Sequence, residues 1–293
     1  MLSPTRKLLP ALLGTVAVAA VGSGPAGGDP RATGAAKLDR NPCLERETRR
    51  ELRCPDLEMS PPSNMFLSRS RSGRIRLHAA NSIDSVGRGP AELRGRRSGR
   101  FEMRARQVIY KRGGGKIRLD TGARLQFKRI PGQYRYWKFR RAAKFELWRL
   151  DDEGRRKKLV RTGPKISYCL RDLAHTRPKL PGSPAAFHYP ACNQELSKRR
   201  VTLGTSVGWS DVYPSTYHEQ YLHVTGLRGC FAYVHIADPG NGIYESDEEN
   251  NEGETVVRLP WRGSRKGCPK RSRGVPPPAK GDEDGGAEAP PEY

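Results

Sequence analysis

The sequence has no Cys-x-x-Cys pair, no His-x-His pair, and no apolar run of the roughly 20 residues that a spanning helix needs. The first absence sets aside a zinc ribbon or a thiol redox motif. The second removes a strand on which alternate imidazoles face one metal. The third makes the chain one that is not membrane-spanning. Sustained helical period and internal repeats are also missing, which sets aside helix bundles and solenoids. Gly113-Gly114-Gly115 lacks the Lys-Ser/Thr and the following helix of a phosphate cradle, so it reads as a turn. Hydrophobic residues make up only 35% and charged residues 29%, so the core is modest.

What the chain does have is positive charge, at a formal net +23 over 293 residues. Arg94 to Arg149 holds 19 Lys/Arg against Glu102, Asp120 and Glu146, a local excess of +16. Tyr110, Phe127, Tyr134, Tyr136 and Trp137 are interleaved with these cations, a composition shared with nucleic-acid platforms. The opposite sign is concentrated in Glu245 to Glu254, with six acids and no base, and in the tail after Gly274.

The N-terminus has the layout of an export signal. Arg6 and Lys7 precede an apolar run from Leu8 to Val21, and small residues follow. Residues 1–36 are read as signal peptide and linker, 42–268 as the folded domain, and 269–293 as a disordered, Pro-rich acidic tail. Export turns the polyanion reading away from intracellular nucleic acid. It points to an extracellular or cell-envelope polymer and predicts a secreted, extracytoplasmic protein. Six cysteines on an exported chain imply three disulfides among 15 connectivities. Sequence proximity favours Cys43–Cys54, Cys169–Cys192 and Cys230–Cys268.

Between these ends the chain alternates. Arg74–Ala79, Arg124–Phe127, Tyr134–Phe139, Lys144–Leu150, Tyr221–Val224, Cys230–Ile236 and Thr255–Leu259 read as strands. A short helix is expected over Leu44–Leu52, and residues 171–200 form a long Pro-rich loop. Many short strands with Gly/Pro turns predict an all-β β-sandwich with long loops and disulfides. In the strand Tyr134–Phe139, the side chains of Tyr134, Tyr136 and Lys138 share one face, and Trp137 and Phe139 back them.

Four short motifs stand in order: Cys54-Pro55-Asp56-Leu57, Lys165-Ile166-Ser167-Tyr168-Cys169-Leu170, Gly208-Trp209-Ser210-Asp211-Val212-Tyr213, and Glu245-Ser246-Asp247-Glu248-Glu249-Asn250-Asn251. Each is weak alone. Together they resemble the catalytic domain of the lysyl oxidase family over roughly residues 42–260. The resemblance implies a copper amine oxidase in which a Lys and a Tyr are joined as lysine tyrosylquinone. Lys165 and Tyr213 match those positions. Taken alone, they would be a surface Lys and a packed Tyr. The resemblance also implies a structural calcium site formed by Asp56, the Leu57 carbonyl, Glu245, Asp247, Asn250 and Asn251. Taken alone, that run is a solvated acidic turn. Oxygen ligands of this kind, six to eight in number, are what calcium takes.

The departure is the copper strand. The family's three alternate histidines align with Tyr134, Tyr136 and Lys138. A Lys ammonium has three protons and no lone pair, and its charge repels a nearby cation. The expectation is therefore a catalytically degenerate, secreted lysyl oxidase-like protein with an extracellular or envelope binding or structural role. One alternative is an amine oxidase with a rearranged copper site, for which His218 lies five residues past Tyr213. Another is a basic polyanion-binding module with no link to amines.

Overall fold

The computed structural model describes residues 40–164 and 166–273. The expected export signal, most of the expected linker, Lys165 and the tail from 274 lie outside them. Among the described residues the fold is all-β, with a single short 3-10 turn, Thr48–Arg50. The strands begin with β1 Leu52–Arg53, β2 Leu57–Met59, β3 Ser63–Arg69, β4 Ile75–Ser85 and β5 Ala91–Arg97. Next come β6 Glu102–Lys111, β7 Lys116–Leu119, β8 Arg124–Arg129, β9 Arg135–Leu150 and β10 Arg156–Thr162. The last six are β11 Ile166–Tyr168, β12 Arg200–Thr205, β13 Ser210–Tyr213, β14 Tyr221–His223, β15 Gly229–Ala237 and β16 Glu252–Leu259.

These strands build two antiparallel sheets. The larger runs β12-β5-β6-β8-β9-β15-β16, with β1 and β7 on β6 and β10 and β11 on β9. The smaller runs β13-β4-β14, with β2 and β3 also on β4. Side chains from both sheets meet in one large apolar cluster, including Leu77 and Ile83 of β4 and Leu93, Met103, Leu125, Trp137 and Phe139 of the larger sheet. Trp137 and Phe139 are buried in that core, as strand alternation predicts.

β9 is longer than the sequence suggests. The two expected strands, Tyr134–Phe139 and Lys144–Leu150, are one element of 16 residues. Arg141 adopts a left-handed backbone, φ 60°, where the β11 register shifts. That is bulge geometry: the strand bends without ending. The long loop expected over 171–200 is irregular until β12 begins at Arg200.

The helix expected at Leu44–Leu52 does not form. Nine helical residues would span about 13 Å. Cys43 and Cys54 are bonded, with Cα atoms 5.8 Å apart. The segment folds back instead, and buried Leu52 enters β1 opposite Lys111. The other two bridges are Cys169–Cys192 and Cys230–Cys268, the pairing that proximity favours. Past the third bridge, Ser272 N donates to Glu254 at 3.2 Å and Arg273 N to Gly154 O at 2.7 Å, so packed chain continues to the end of the described residues.

Candidate functional site

Strand β9 sets the first half of the site. Trp137 anchors it: its indole Nε1 donates to Glu195 O at 3.0 Å, and its backbone N donates to Asn193 O at 3.0 Å. The other face does not gather all three alternating residues. Tyr134 precedes the strand and is 70% exposed. Tyr136 is half-buried. Only Lys138 is fully enclosed, at 3% exposure. Its Nζ donates to the Tyr217 hydroxyl at 2.6 Å and lies 5.1 Å from that ring's centre. It is also 5.8 Å from the centre of the Tyr213 ring.

β13 supplies the other half. It pairs with β4, placing Asp211 opposite Ile83 and Tyr213 opposite Asn81. Asp211 and Tyr213 are two residues apart and share one face. The Tyr213 ring stacks on Tyr168 at 3.7 Å, and its hydroxyl accepts from Cys169 N at 2.9 Å. Asp211 Oδ2 accepts from Leu170 N at 3.1 Å, while Oδ1 is buried without a hydrogen-bond partner.

The electrostatics follow from burial. Desolvation pushes the Asp211 carboxyl up to about 6, against the opposing pull of the Tyr213 hydroxyl, Lys138 and Arg171. Desolvation lowers Lys138 to about 8, with Asp211 pulling it back up. Burial raises the Tyr213 and Tyr168 hydroxyls well above their ordinary value. Near neutral pH this places an ammonium and a carboxylate in one enclosed space with two protonated tyrosines. Lys165 lies outside the described residues, so its relation to Tyr213 has no structural account.

Asp211 belongs to a motif noticed in the sequence but had no assigned role; its i, i+2 spacing to Tyr213 was the available signal. Tyr217 had none, because it meets Lys138 across 79 positions of chain.

The second candidate region joins the two ends of the domain. Buried Glu245 accepts from Leu57 N through Oε2 and from Asn251 Nδ2 through Oε1 at 3.1 Å. Asn250 Nδ2 donates to Asp56 Oδ1 at 2.7 Å, and Ser246 N to Pro55 O at 2.9 Å. Asn41, which the sequence reading missed, donates to Glu248 Oε1 at 2.7 Å and to Glu245 O at 2.8 Å. Asp247 stands apart at the exposed rim, where its Oδ1 caps Glu249 N at 2.8 Å. Burial raises the Glu245 carboxyl well above the usual range, and Asp238 and Glu248 add to it. Glu252 and Glu254, further along the run, are paired with buried Arg156.

The two regions answer the metal question differently. For copper the donor set does not fit, since Lys138 donates where a ligand must accept. His218 Nε2 is 3.7 Å from Glu219 Oε1, and His235 is fully buried with neither ring nitrogen bonded. Among the described residues no group of three or more His, Cys, Asp or Glu could hold a metal. For a hard cation the amide oxygens matter as well. Asn250 Oδ1 and Asn251 Oδ1 are buried with no hydrogen-bond partner, beside a buried carboxylate. Orphaned oxygens of this kind suit an oxygen-ligated ion.

Fold and site together define an all-β, disulfide-bonded protein with an enclosed Lys–Asp–Tyr cluster and a separate acidic junction. No protein-family model matches the chain, and a search of curated proteins finds no match. Among the described residues no helix is long and apolar enough to cross a membrane. Three disulfides are consistent with an extracytoplasmic protein.

Proposed function

We propose that this chain is a secreted, lysyl oxidase-like protein without copper chemistry, acting outside the cell as a binding or structural protein. The observation that carries the reading is Lys138, whose ammonium lies inside the cluster next to Tyr213, at the position of the third family histidine. A fixed cation there occupies the role that a metal ion would otherwise take beside a buried acid. Tyr213 and Lys165 are on this reading vestiges of the quinone pair. Calcium, held by Asp56, Leu57, Glu245, Asn250 and Asn251, with Asp247 at the rim, would be structural and would tie β2 to the segment leading into β16. The excess of positive charge makes an extracellular polyanion the class of partner.

Metal analysis and a quinone stain on the secreted protein test this. The expected result is neither copper nor a quinone band. One equivalent of copper with a quinone band overturns the reading in favour of an amine oxidase with a rearranged site. The reciprocal experiment replaces Tyr134→His, Tyr136→His and Lys138→His together. Copper uptake by the triple variant and not by the parent supports descent from a copper strand; equal uptake by both removes it.

A further inference from the structure

The register of the larger sheet aligns arginines in a row. Arg200 of β12 stands directly opposite Arg96 of β5. Arg96 stands opposite Arg104 of β6, and Arg104 opposite Arg124 of β8. Directly opposed residues of an antiparallel pair point to the same face, so four guanidinium groups share one face of four adjacent strands. At a strand spacing of about 4.8 Å the row covers about 14 Å. A second, shorter row runs beside it, with Arg94 opposite Arg106.

Like charges directly opposed across strands are destabilising unless something compensates them. Arg94 is compensated within the chain, bonded to Glu92. Among the described residues Arg200, Arg96, Arg104 and Arg124 have no ion pair. Arg200, Arg96 and Arg104 are exposed, and Arg124 is half-buried. At the Arg124 end the row opens into a cavity of about 270 Å³ lined by Arg124, Arg140 and Arg141. Asp238 also lines it, with Oδ2 turned to the Ile243 N–H at 2.6 Å. Arg140 makes a single contact with Glu102 at 3.4 Å. Arg141, Asp238 and neighbouring Asn241 all have left-handed backbones, φ 60°, 38° and 49°. Strained residues of this kind gather where a structure shapes a site.

We infer that Arg200, Arg96, Arg104 and Arg124 form a track for a linear acidic polysaccharide, with the cavity beyond Arg124 receiving a charged group at one end. The inference rests on the extracellular binding role proposed above and assigns it residues and a polymer class. Guanidinium groups take carboxylates and sulfates in bidentate fashion. A polyuronate offers one carboxylate per sugar ring, a repeat of the same order as the strand spacing. Neither row contains an aromatic side chain, whereas single-stranded nucleic acid is held by stacking its bases on aromatics.

The test compares full-length proteins of equal charge. Arg96→Gln with Arg104→Gln removes two cations from the row; Arg71→Gln with Lys158→Gln removes two exposed cations elsewhere. Affinity for polygalacturonate and for single-stranded DNA is measured over a range of salt. The row variant is expected to lose about tenfold in polygalacturonate affinity, with the salt dependence falling by about one ion per arginine. The control is expected to change less than twofold. Because the substitutions relieve repulsion, the melting temperature of the row variant should hold or rise, so lost affinity is not lost fold. Equal losses in both variants mean a diffuse basic surface and overturn the track. Tighter binding of DNA with the same dependence on the row overturns the polymer class. No affinity for either polymer removes the partner while leaving the metal and quinone results untouched; copper in the protein alters the functional reading while leaving the row in place.

Discussion

The Lys138 cluster and the Glu245 junction are both buried acidic sites, and they solve the same problem in opposite ways. Asp211 is enclosed, and a lysine of the same chain supplies positive charge beside it. Glu245 is equally enclosed, but the charges that bear most on it are Asp238 and Glu248, both acids. The first site carries its cation covalently. The second must take up a proton or bind an ion from solution. A buried charge is tolerated only when it is paired or neutralised, so Asp211 is offset from within the chain, whereas Glu245 is left to a proton or an ion.

The largest effect should come from adding calcium. Calcium at a hundredfold over its dissociation constant stabilises a one-site protein by about 2.7 kcal/mol. A calcium-dependent rise in melting temperature is therefore expected for the parent. Asp56→Ala should abolish it, and Asp247→Ala should weaken it less, because Asp247 is at the rim. If chelator and calcium give the same melting curve, the junction is not an ion site, and both sites are closed.

Removing the built-in cation should rank next. Lys138→Met removes the donor to the Tyr217 hydroxyl and the positive charge that favours ionised Asp211, and should cost about 2 kcal/mol at pH 7. The folded-state value of Asp211 lies above its ordinary 3.8, so the folded protein holds that proton more tightly. Stability is then lost as pH rises from 3.8 through about 6. Without Lys138 the loss deepens, so the penalty seen in denaturant melts should shrink at pH 5 and be restored at pH 7. A penalty independent of pH would mean that Lys138 serves packing rather than charge.

The smallest effect sharpens the contrast. In calcium-free protein Glu245→Gln should add about 1 kcal/mol at pH 7, since it removes a carboxylate whose ionisation burial opposes. Below pH 4.5, where the parent side chain is protonated, the gain should vanish. With calcium present the same substitution should become destabilising. A gain that survives calcium would dissociate Glu245 from ion binding.

Particular residues show why some of this was legible beforehand. Trp137 and Phe139 were readable as core because strand alternation is local. That Lys138 offers protons and no lone pair to a metal was readable because this is a property of an ammonium wherever it sits. The pairing of Asp56-Leu57 with the Glu245–Asn251 run came from resemblance, and the hydrogen bonds between those segments bring the two together. The Leu44–Leu52 helix failed because a bridge between its flanks outweighed local propensity. One face for Tyr134, Tyr136 and Lys138 failed as a site because Tyr134 lies outside the strand that orders the other two.

The sequence by itself determined the all-β class, the three nearest-neighbour disulfides and the charge imbalance. These depend on residue chemistry and on spacings of a few positions. The tertiary structure decided that Lys138 meets Tyr217 and puts its charge in the field of Asp211, that two asparagine oxygens are left unpartnered beside Glu245, and that four arginines fall into one row. Those facts depend on the register between strands distant in sequence. Register is set when the whole core packs, because a slip of one residue would exchange the faces of an entire strand.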